Sequence, residues 1–380
     1  MDFSFSDEQR ALQEAARKFA REVMRPKAAH CDETAEFPKE IIAQAHEMGL
    51  FNMTVPESMG GVGLSHLNQV IAVEELAWGC PAMTTSIVAN DLALLPILIG
   101  GTDEQKQRLV KPFVDRFKFT SFCLTEPNAG SDVAGMATTA RRDGDHYVLN
   151  GAKVFITNGG YAEQYTVFAT VDRSLRHRGV TCFVVEGRPP GLTVGKHENK
   201  MGQRASNTVA LTFEEVRVPV KNRVGEEGDG FRIAMETLDN SRPLTAMMAV
   251  GLARAAMEHS LDYAQNRKQF GKPVSDFQAV QFMLADMGKD IQAARLLTYQ
   301  SAWMLDAGEK NTLVSSYAKS FAADMAMRVA TDAVQVYGGY GYMREYPVEK
   351  LMRDAKLIQI YEGTSQIQRV VIARELLKGG

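Results

Sequence analysis

The sequence predicts an α+β protein in three parts: a helical domain over residues 1–118, an antiparallel β domain over 119–230 and a helical bundle over 231–380. Three observations carry this expectation. The chain has 380 residues, more than one hydrophobic core usually accommodates. Apolar residues recur at helical spacing towards both ends. Between those stretches lie short β-rich runs separated by polar turn clusters.

Taken in order, Ser6 is suited to cap a first helix in which Leu12, Ala15, Phe19 and Val23 follow at helical spacing. Pro38 is placed to open another, in which Ile41, Ala45 and Met48 keep that spacing. Pro56-Glu57-Ser58-Met59-Gly60-Gly61 predicts a loop. The middle stretch offers the runs Phe119–Leu124, His146–Leu149, Tyr165–Thr170, Thr181–Val185 and Val209–Phe213. Turn clusters such as Arg142-Asp143-Gly144-Asp145 and Arg188-Pro189-Pro190-Gly191 separate them, the pattern of a small antiparallel barrel or sandwich. Beyond residue 231, Val280, Leu284, Met287, Ile291 and Ala294 step by four and three, the seam of a long bundle helix. Tyr317, Phe321, Met325 and Val329 form a second stripe, and core packing is the expected role of both.

Composition narrows the function classes. Apolar residues make up 45% and charged residues 23%, as in soluble globular proteins. A net charge of −3 gives no electrostatic footprint for nucleic acid or an anionic membrane. The longest apolar run, Leu92–Gly101, is about half a membrane span and contains Pro96, so no transmembrane helix is expected. The opening Met1-Asp2-Phe3-Ser4-Phe5-Ser6-Asp7-Glu8 lacks a basic n-region, an apolar h-region and an Arg-rich transit pattern. The cytoplasm is the expected compartment, with the mitochondrial matrix reserved for a processed form. Cys31, Cys80, Cys123 and Cys182 show no CxxC pairing and read as reduced thiols. The seven His are scattered without HExxH, and no metal site is expected.

Neither a Rossmann GxGxxG after a strand nor a P-loop is present. Gly338-Gly339-Tyr340-Gly341 follows a helical stretch and reads as a helix stop. Thr125-Glu126-Pro127-Asn128-Ala129-Gly130-Ser131-Asp132 follows a β-run; it suits either close approach to a flat polar ligand or phosphate, or an ordinary hairpin loop. In Tyr361-Glu362-Gly363-Thr364-Ser365-Gln366 a carboxylate stands beside glycine in apolar company, a setting that makes Glu a usable base near neutrality. The same Glu also reads as an acid at a helix N-terminus.

Together the strings CLTEPNAGSDVAG (123–135), NGAKVFITNGG (150–160), MGQRASNT (201–208), RKQFG (267–271), YPVEKLMRDAK (346–356) and IYEGTSQIQR (360–369) resemble the acyl-CoA dehydrogenase family over essentially the whole chain, most nearly its medium-chain members. The resemblance implies a middle β-barrel-like domain, a C-terminal four-helix bundle, a homotetramer, and FAD lying between the β domain, the bundle and a neighbouring subunit's bundle. It implies FAD contacts from Phe122, Leu124, Thr125, Gly130 and Ser131, with Phe155, Ile156 and Thr157 against the flavin ring. Phe155 stands where the family often has Trp; a phenyl ring still stacks but lacks the indole donor. Arg267, Phe270, Gln278, Gln335, Gly338 and Gly339 match groups that reach a second subunit's FAD, and Thr364 and Gln366 match those at its adenine end. Ser131, Asp239, Arg242, Gly363 and Arg374 match residues that hold CoA.

By the same resemblance Glu362 is the base that removes the α-proton of an acyl-CoA while the β-hydride passes to flavin N5, giving a trans-2-enoyl-CoA. The electrons then pass to electron-transferring flavoprotein, in fatty-acid β-oxidation or a related pathway. Some members carry the base just before the arginine matched by Arg242; here Ser241 stands there, a hydroxyl without useful basicity. Asp91, in the segment Ile87–Pro96 that matches the acyl end, is an unexpected carboxylate for an apolar pocket. It reads either as contact to a polar or cyclic acyl group such as cyclohexanecarbonyl-CoA or a second base for an unusual elimination, or as a surface or hydrogen-bonded helix residue. The rival functions are a flavin oxidase or monooxygenase on the same scaffold, and a catalytically silent acyl-CoA-binding protein.

Overall fold

The computed structural model describes residues 4–378; Met1–Phe3 of the N-terminal reading and the outermost limits of the first and third parts lie outside the described residues. Helices come first: α1 (Asp7–Phe19), α2 (Arg25–Thr34), α3 (Lys39–Glu47), α4 (His66–Gly79), α5 (Pro81–Gly100), α6 (Asp103–Leu109) and α7 (Lys111–Asp115). The strands are β1 (Phe119–Cys123), β2 (Thr139–Asp143), β3 (His146–Thr157), β4 (Ala162–Thr170), β5 (Val180–Glu186), β6 (Leu192–Val194), β7 (Thr208–Pro219) and β8 (Arg223–Val224). Then come α8 (Gly230–Asn266), a small hairpin of β9 (Lys268–Gln269) and β10 (Lys272–Pro273), α9 (Gln278–Asp306), α10 (Thr312–Tyr337), α11 (Pro347–Ile358) and α12 (Ser365–Lys378).

Local chemistry explains several boundaries. Ser6 caps α1 in a reciprocal box with Gln9: the Gln9 N–H donates to Ser6 Oγ at 3.1 Å, and the Ser6 N–H donates to the Gln9 side chain at 3.0 Å. Pro38 precedes the first turn of α3. Gly338, at φ 61°, stops α10 as expected.

The sheet runs β6-β7-β3-β2-β4-β5-β8, with β1 joined to β4. Most ladders are antiparallel, but β1 lies parallel to β4, with Thr120 opposite Gln164, and β2 meets β4 in parallel at Thr139 and Thr170. This departs from an all-antiparallel middle domain. The chain leaves β1 through the long 124–138 loop and two further strands instead of a tight hairpin, and such a crossover permits parallel pairing.

The central helix α8 packs against α4, α5, α9 and α10, which ties the N-terminal helices to the bundle. The stripe on α9 is buried at Met287, Ile291 and Ala294. On α10 the buried face consists of Ala318, Ala322, Met325, Ala326 and Val329, while Phe321 remains 38% exposed. Met325 and Val329 of the expected stripe lie on this face, whereas Tyr317 and Phe321 do not; the alanines beside them let α10 approach its neighbours closely. The apolar run at Leu92–Gly101 is the end of the longer α5, which contains Pro96. By length and composition α5 is able to cross a bilayer, but 83% of its apolar window is buried inside the protein, as in a core helix.

Asp91 on α5 is fully buried and hydrogen-bonded within the chain, the second of the two settings expected for it. Its Oδ1 accepts the Thr54 N–H at 2.8 Å, and Oδ2 meets no donor. Burial pushes its carboxyl up to about 6 from 3.8, against the opposing pull of the Thr54 bonds. A carboxyl raised on folding contributes its full stability below its unfolded value and loses it as pH rises through about 6. Two pH units correspond to about 3 kcal/mol at pH 8. Asp91→Asn keeps the acceptor for Thr54, so the variant is expected to melt above the wild type at pH 8 and to lose that advantage near pH 4.5. Thermal denaturation at both pH values checks this; a difference independent of pH contradicts it.

Candidate active site

Between α11 and α12 the chain reverses through Glu362 and Gly363, both with left-handed backbone, at φ 51° and 85°. For glutamate this conformation is strained and persists only where the surroundings impose it. They do so from two sides. Gln368 Nε2 donates to the carbonyls of Glu362 at 3.1 Å and Gly363 at 3.3 Å, and Lys319 Nζ of α10 donates to the Gly363 carbonyl at 2.5 Å. Asp324, also on α10, accepts from Gln359 at 2.8 Å, Ser365 at 2.9 Å and Arg369 at 2.7 Å, gripping both ends of the turn. Among the described residues, the N–H groups of Glu362 and Gly363 meet no protein acceptor.

The Glu362 side chain is half-buried against α8. Ser241 Oγ donates to its Oε2 at 2.7 Å. Burial raises its pKa, while Ser241, Thr245, Lys319 and Arg242 oppose that rise. Thr245 lies one turn beyond Ser241 on α8. The arrangement is a desolvated carboxylate restrained by hydroxyls, a setting in which a glutamate acts as a base. Tyr361 places its hydroxyl 3.9 Å from Met248 Sδ and near Thr85 and Gln203. On α5 the residual exposure before the last turns centres on Thr85, Val88, Ala89 and Leu92, residues that share one mostly apolar face. Asp91 lies roughly 110° around the helix from Thr85, Val88, Ala89 and Leu92.

The 124–138 loop is organised by an internal ion pair. Glu126, almost fully buried, accepts the N–H of Ala137 at 2.5 Å, that of Thr138 at 3.0 Å and Lys153 Nζ at 2.7 Å. Lys153 is itself fully buried and also donates to the Leu124 carbonyl at 3.0 Å. The β3–β7 register shifts between Lys153 and Ile156, and Phe155 takes φ 59°. This bulge turns Phe155 out of the sheet, leaving it 69% exposed, while Ile156 stays buried. Phe122 and Leu124 pack in the core below; Thr125 and Thr157 keep partial exposure, and Gly130 and Ser131 are exposed. An added Cβ at Gly130 meets nothing within 4 Å. A projecting phenyl, an open glycine loop and unspent N–H groups on the Glu362 turn fit a flat, hydrogen-bonding cofactor such as FAD.

Arg242, 5% exposed, is paired with Asp239, and Asp239 also accepts from Thr312 at 2.6 Å. Its Nε has no partner, which leaves a buried donor for an anionic group. Thr364 Oγ1 caps α12 by accepting the Ile367 N–H at 3.1 Å, and Gln366 is exposed. Arg374 stands on the exposed flank of α12, 3.7 Å from Glu375.

The remaining expected contacts form a second place. Arg267, Gly338 and Gly339 line a cavity of about 560 Å³ with Tyr263, Tyr337 and Tyr340. Arg267 stacks over the Tyr340 ring at 5.3 Å. Phe270 is 93% exposed, and Gln278 and Gln335 are also exposed. Arg267 ends the helix that carries Ser241, so the two places lie about 39 Å apart along α8.

Sequence reasoning passed over Lys319, Thr245, Gln368 and the Glu126–Lys153 pair. A lysine between Ala318 and Ser320, on a helix whose buried positions are small residues, was a signal for the first. The others look like ordinary helix or strand residues until the turn brings them in.

The chain resembles known proteins over its whole length. Family models described as acyl-CoA dehydrogenase N-terminal, middle and C-terminal domains match residues 6–116, 121–216 and 228–377. The chain is 43% identical over 380 residues to a short-chain-specific acyl-CoA dehydrogenase of Clostridium acetobutylicum, covering 100% of each. It is 44% identical over 377 residues to cyclohexane-1-carbonyl-CoA dehydrogenase of Geobacter metallireducens, covering 99% of each. A solved structure described as the electron transferring flavoprotein of Acidaminococcus fermentans superposes with TM-score 0.97 at 43% identity, covering 100% of both chains.

Breaking one half of the buried loop clip strands the other half's charge. Lys153→Met is expected to cost about 3–5 kcal/mol in denaturant unfolding, and adding Glu126→Gln to recover part of that loss. A single-variant loss below about 1 kcal/mol contradicts the clip.

Proposed function

The chain belongs to the acyl-CoA dehydrogenase family of FAD-dependent oxidoreductases, and from that premise we propose that it converts an acyl-CoA thioester to a trans-2-enoyl-CoA with Glu362 as the α-proton base. The observation that carries this reading is the Glu362 carboxylate, desolvated, restrained by Ser241 and set on a turn whose own N–H groups are unspent.

An α-C–H beside a thioester is a weak acid, so a base alone is too slow. The developing enolate oxygen needs donors already in place. The free N–H of Glu362 is such a donor, held by the same turn that aims the carboxylate. Base and oxyanion donor therefore share one backbone unit, and substrate binding has no separate parts to assemble. The slot around Tyr361 and the 85/88/89/92 face of α5 keeps water from the base and suits an apolar acyl chain. Arg242, through its unpartnered Nε, supports binding of the CoA part, with Ser131 and Gly363 as further contacts. FAD, when bound, supplies the two-electron acceptor for the β-hydride. Leu124, Thr125, Gly130, Ser131, Phe155, Ile156 and Thr157 would hold its ring end.

The Arg267–Gly338–Gly339 cavity lies too far along α8 to serve the cofactor at Glu362 of the same chain. We assign it to a neighbouring subunit's FAD, which makes the site complete only in an oligomer, a tetramer by family resemblance. Electron-transferring flavoprotein is the proposed electron acceptor, supported by the A. fermentans structure. Identities of 43% to a short-chain enzyme and 44% to a cyclohexane-1-carbonyl enzyme are too alike to choose the acyl group. Both of these relatives are bacterial, which favours a cytoplasmic setting over a mitochondrial one.

Glu362→Gln preserves shape and removes basicity. The variant is expected to stay yellow and bind acyl-CoA while flavin bleaching slows by at least ~100-fold. Stopped-flow absorbance with a panel of acyl-CoA thioesters checks this; bleaching at the wild-type rate by the preferred thioester contradicts it.

A further inference from the structure

Lys319 is a fully buried lysine beneath the Glu362–Gly363 turn. A buried ammonium normally sits against a carboxylate, because an uncompensated charge is costly to desolvate. Here, among the described residues, its one hydrogen bond is to the Gly363 carbonyl at 2.5 Å, and no carboxylate comes within ion-pair range. The charged groups facing it are few. Arg242, on α8, is taken up by Asp239. Asp324, on α10 itself, is occupied by Arg369, Gln359 and Ser365. That leaves the carboxylate of Glu362, which is held by Ser241 and borders Thr245 and the hydroxyl-bearing Tyr361.

Building on the reading of Glu362 as the base, we propose that Lys319 is a positioning and charge-tuning residue for it. Its ammonium fixes the left-handed turn through the Gly363 carbonyl and keeps the neighbouring carboxylate ionised once a bound thioester excludes water. The lysine touches neither substrate nor cofactor in this scheme and acts through Glu362 alone. The electrostatics agree in both directions. Burial pulls Lys319 down to about 8, with Glu362 the foremost group opposing the fall. Lys319 in turn works against the burial that raises Glu362, more strongly than Arg242 does. A cation kept at this cost, in a helix otherwise packed with small residues, is a poor stability device.

The test uses the FAD-loaded enzyme with Lys319→Met, Lys319→Gln and Lys319→Arg. The readout is the infrared band of the protonated Glu362 carboxyl, identified by its absence in Glu362→Gln and followed against pH. In Lys319→Met the titration midpoint is expected to rise by about one pH unit, and flavin bleaching on the acid limb to fall about tenfold at a given pH. Lys319→Gln keeps a donor for Gly363 without the charge, so it should show the same midpoint shift; it carries the test if the Met variant does not fold. Lys319→Arg should restore the wild-type midpoint. Unshifted midpoints in the Met and Gln variants, or an Arg variant shifted as far as Met, overturn the proposal. Loss of bleaching in Glu362→Gln alongside unshifted midpoints rejects only the role of Lys319, whereas full bleaching in Glu362→Gln rejects the base assignment itself.

Discussion

The left-handed turn at Glu362 and Gly363 is the constraint on which the rest of the site depends. A glutamate at positive φ is costly, and within the turn the Ser365 N–H donates to the Gln359 carbonyl at 2.9 Å across it. It is further held from outside by Gln368 of α12, by Lys319 and by the three-way grip of Asp324. The conformation aims the carboxylate at Ser241 on α8 and leaves two consecutive N–H groups unspent. A relaxed helical backbone would commit those N–H groups to the preceding carbonyls. The geometry proposed for catalysis thus rests on packing between four helices, and the buried pair Glu126–Lys153 shapes the 124–138 loop in the same manner.

A second strained residue, Phe155, lies in the bulge of β3. The bulge in β3 turns Phe155 outward at φ 59° while its neighbours Lys153 and Ile156 stay buried. One extra residue in a strand is enough to make an exposed aromatic platform from an otherwise buried ladder. Positive φ also occurs at other residues, and the ladders shift register as well between Leu149 and Gly151 and between Phe119 and Thr120. The cavity at Arg267 lies at the far end of α8 from Ser241.

Much of this was legible in the sequence because it depends on local pattern. The Ser6 cap, the Gly338 stop and the α9 seam need only neighbouring residues, and the YEGT string stands out by composition. What was hidden depends on contacts distant in sequence. Lys319 and Gly363 are 44 residues apart, and Ser241 and Glu362 are 121 apart. Asp91 looks out of place in an apolar run until Thr54, 37 residues earlier, is seen to bind it. The stripe expected at Tyr317 and Phe321 misled because alanines, which give weak periodic signal, form the buried face of α10. Parallel pairing of β1 with β4 was likewise invisible, since the signals for a strand are the same in either direction.

The central claim is that the Glu362 carboxylate removes the proton next to the thioester carbonyl. The most direct measurement isolates that proton from the redox step. A 3-thia-acyl-CoA, with sulfur in place of the β-carbon, has no hydride to lose but keeps its acidic α-hydrogens. Incubated in heavy water and followed by mass spectrometry, it should gain α-deuterium with the FAD-loaded wild type and not with Glu362→Gln. Equal exchange by both proteins would contradict the assignment.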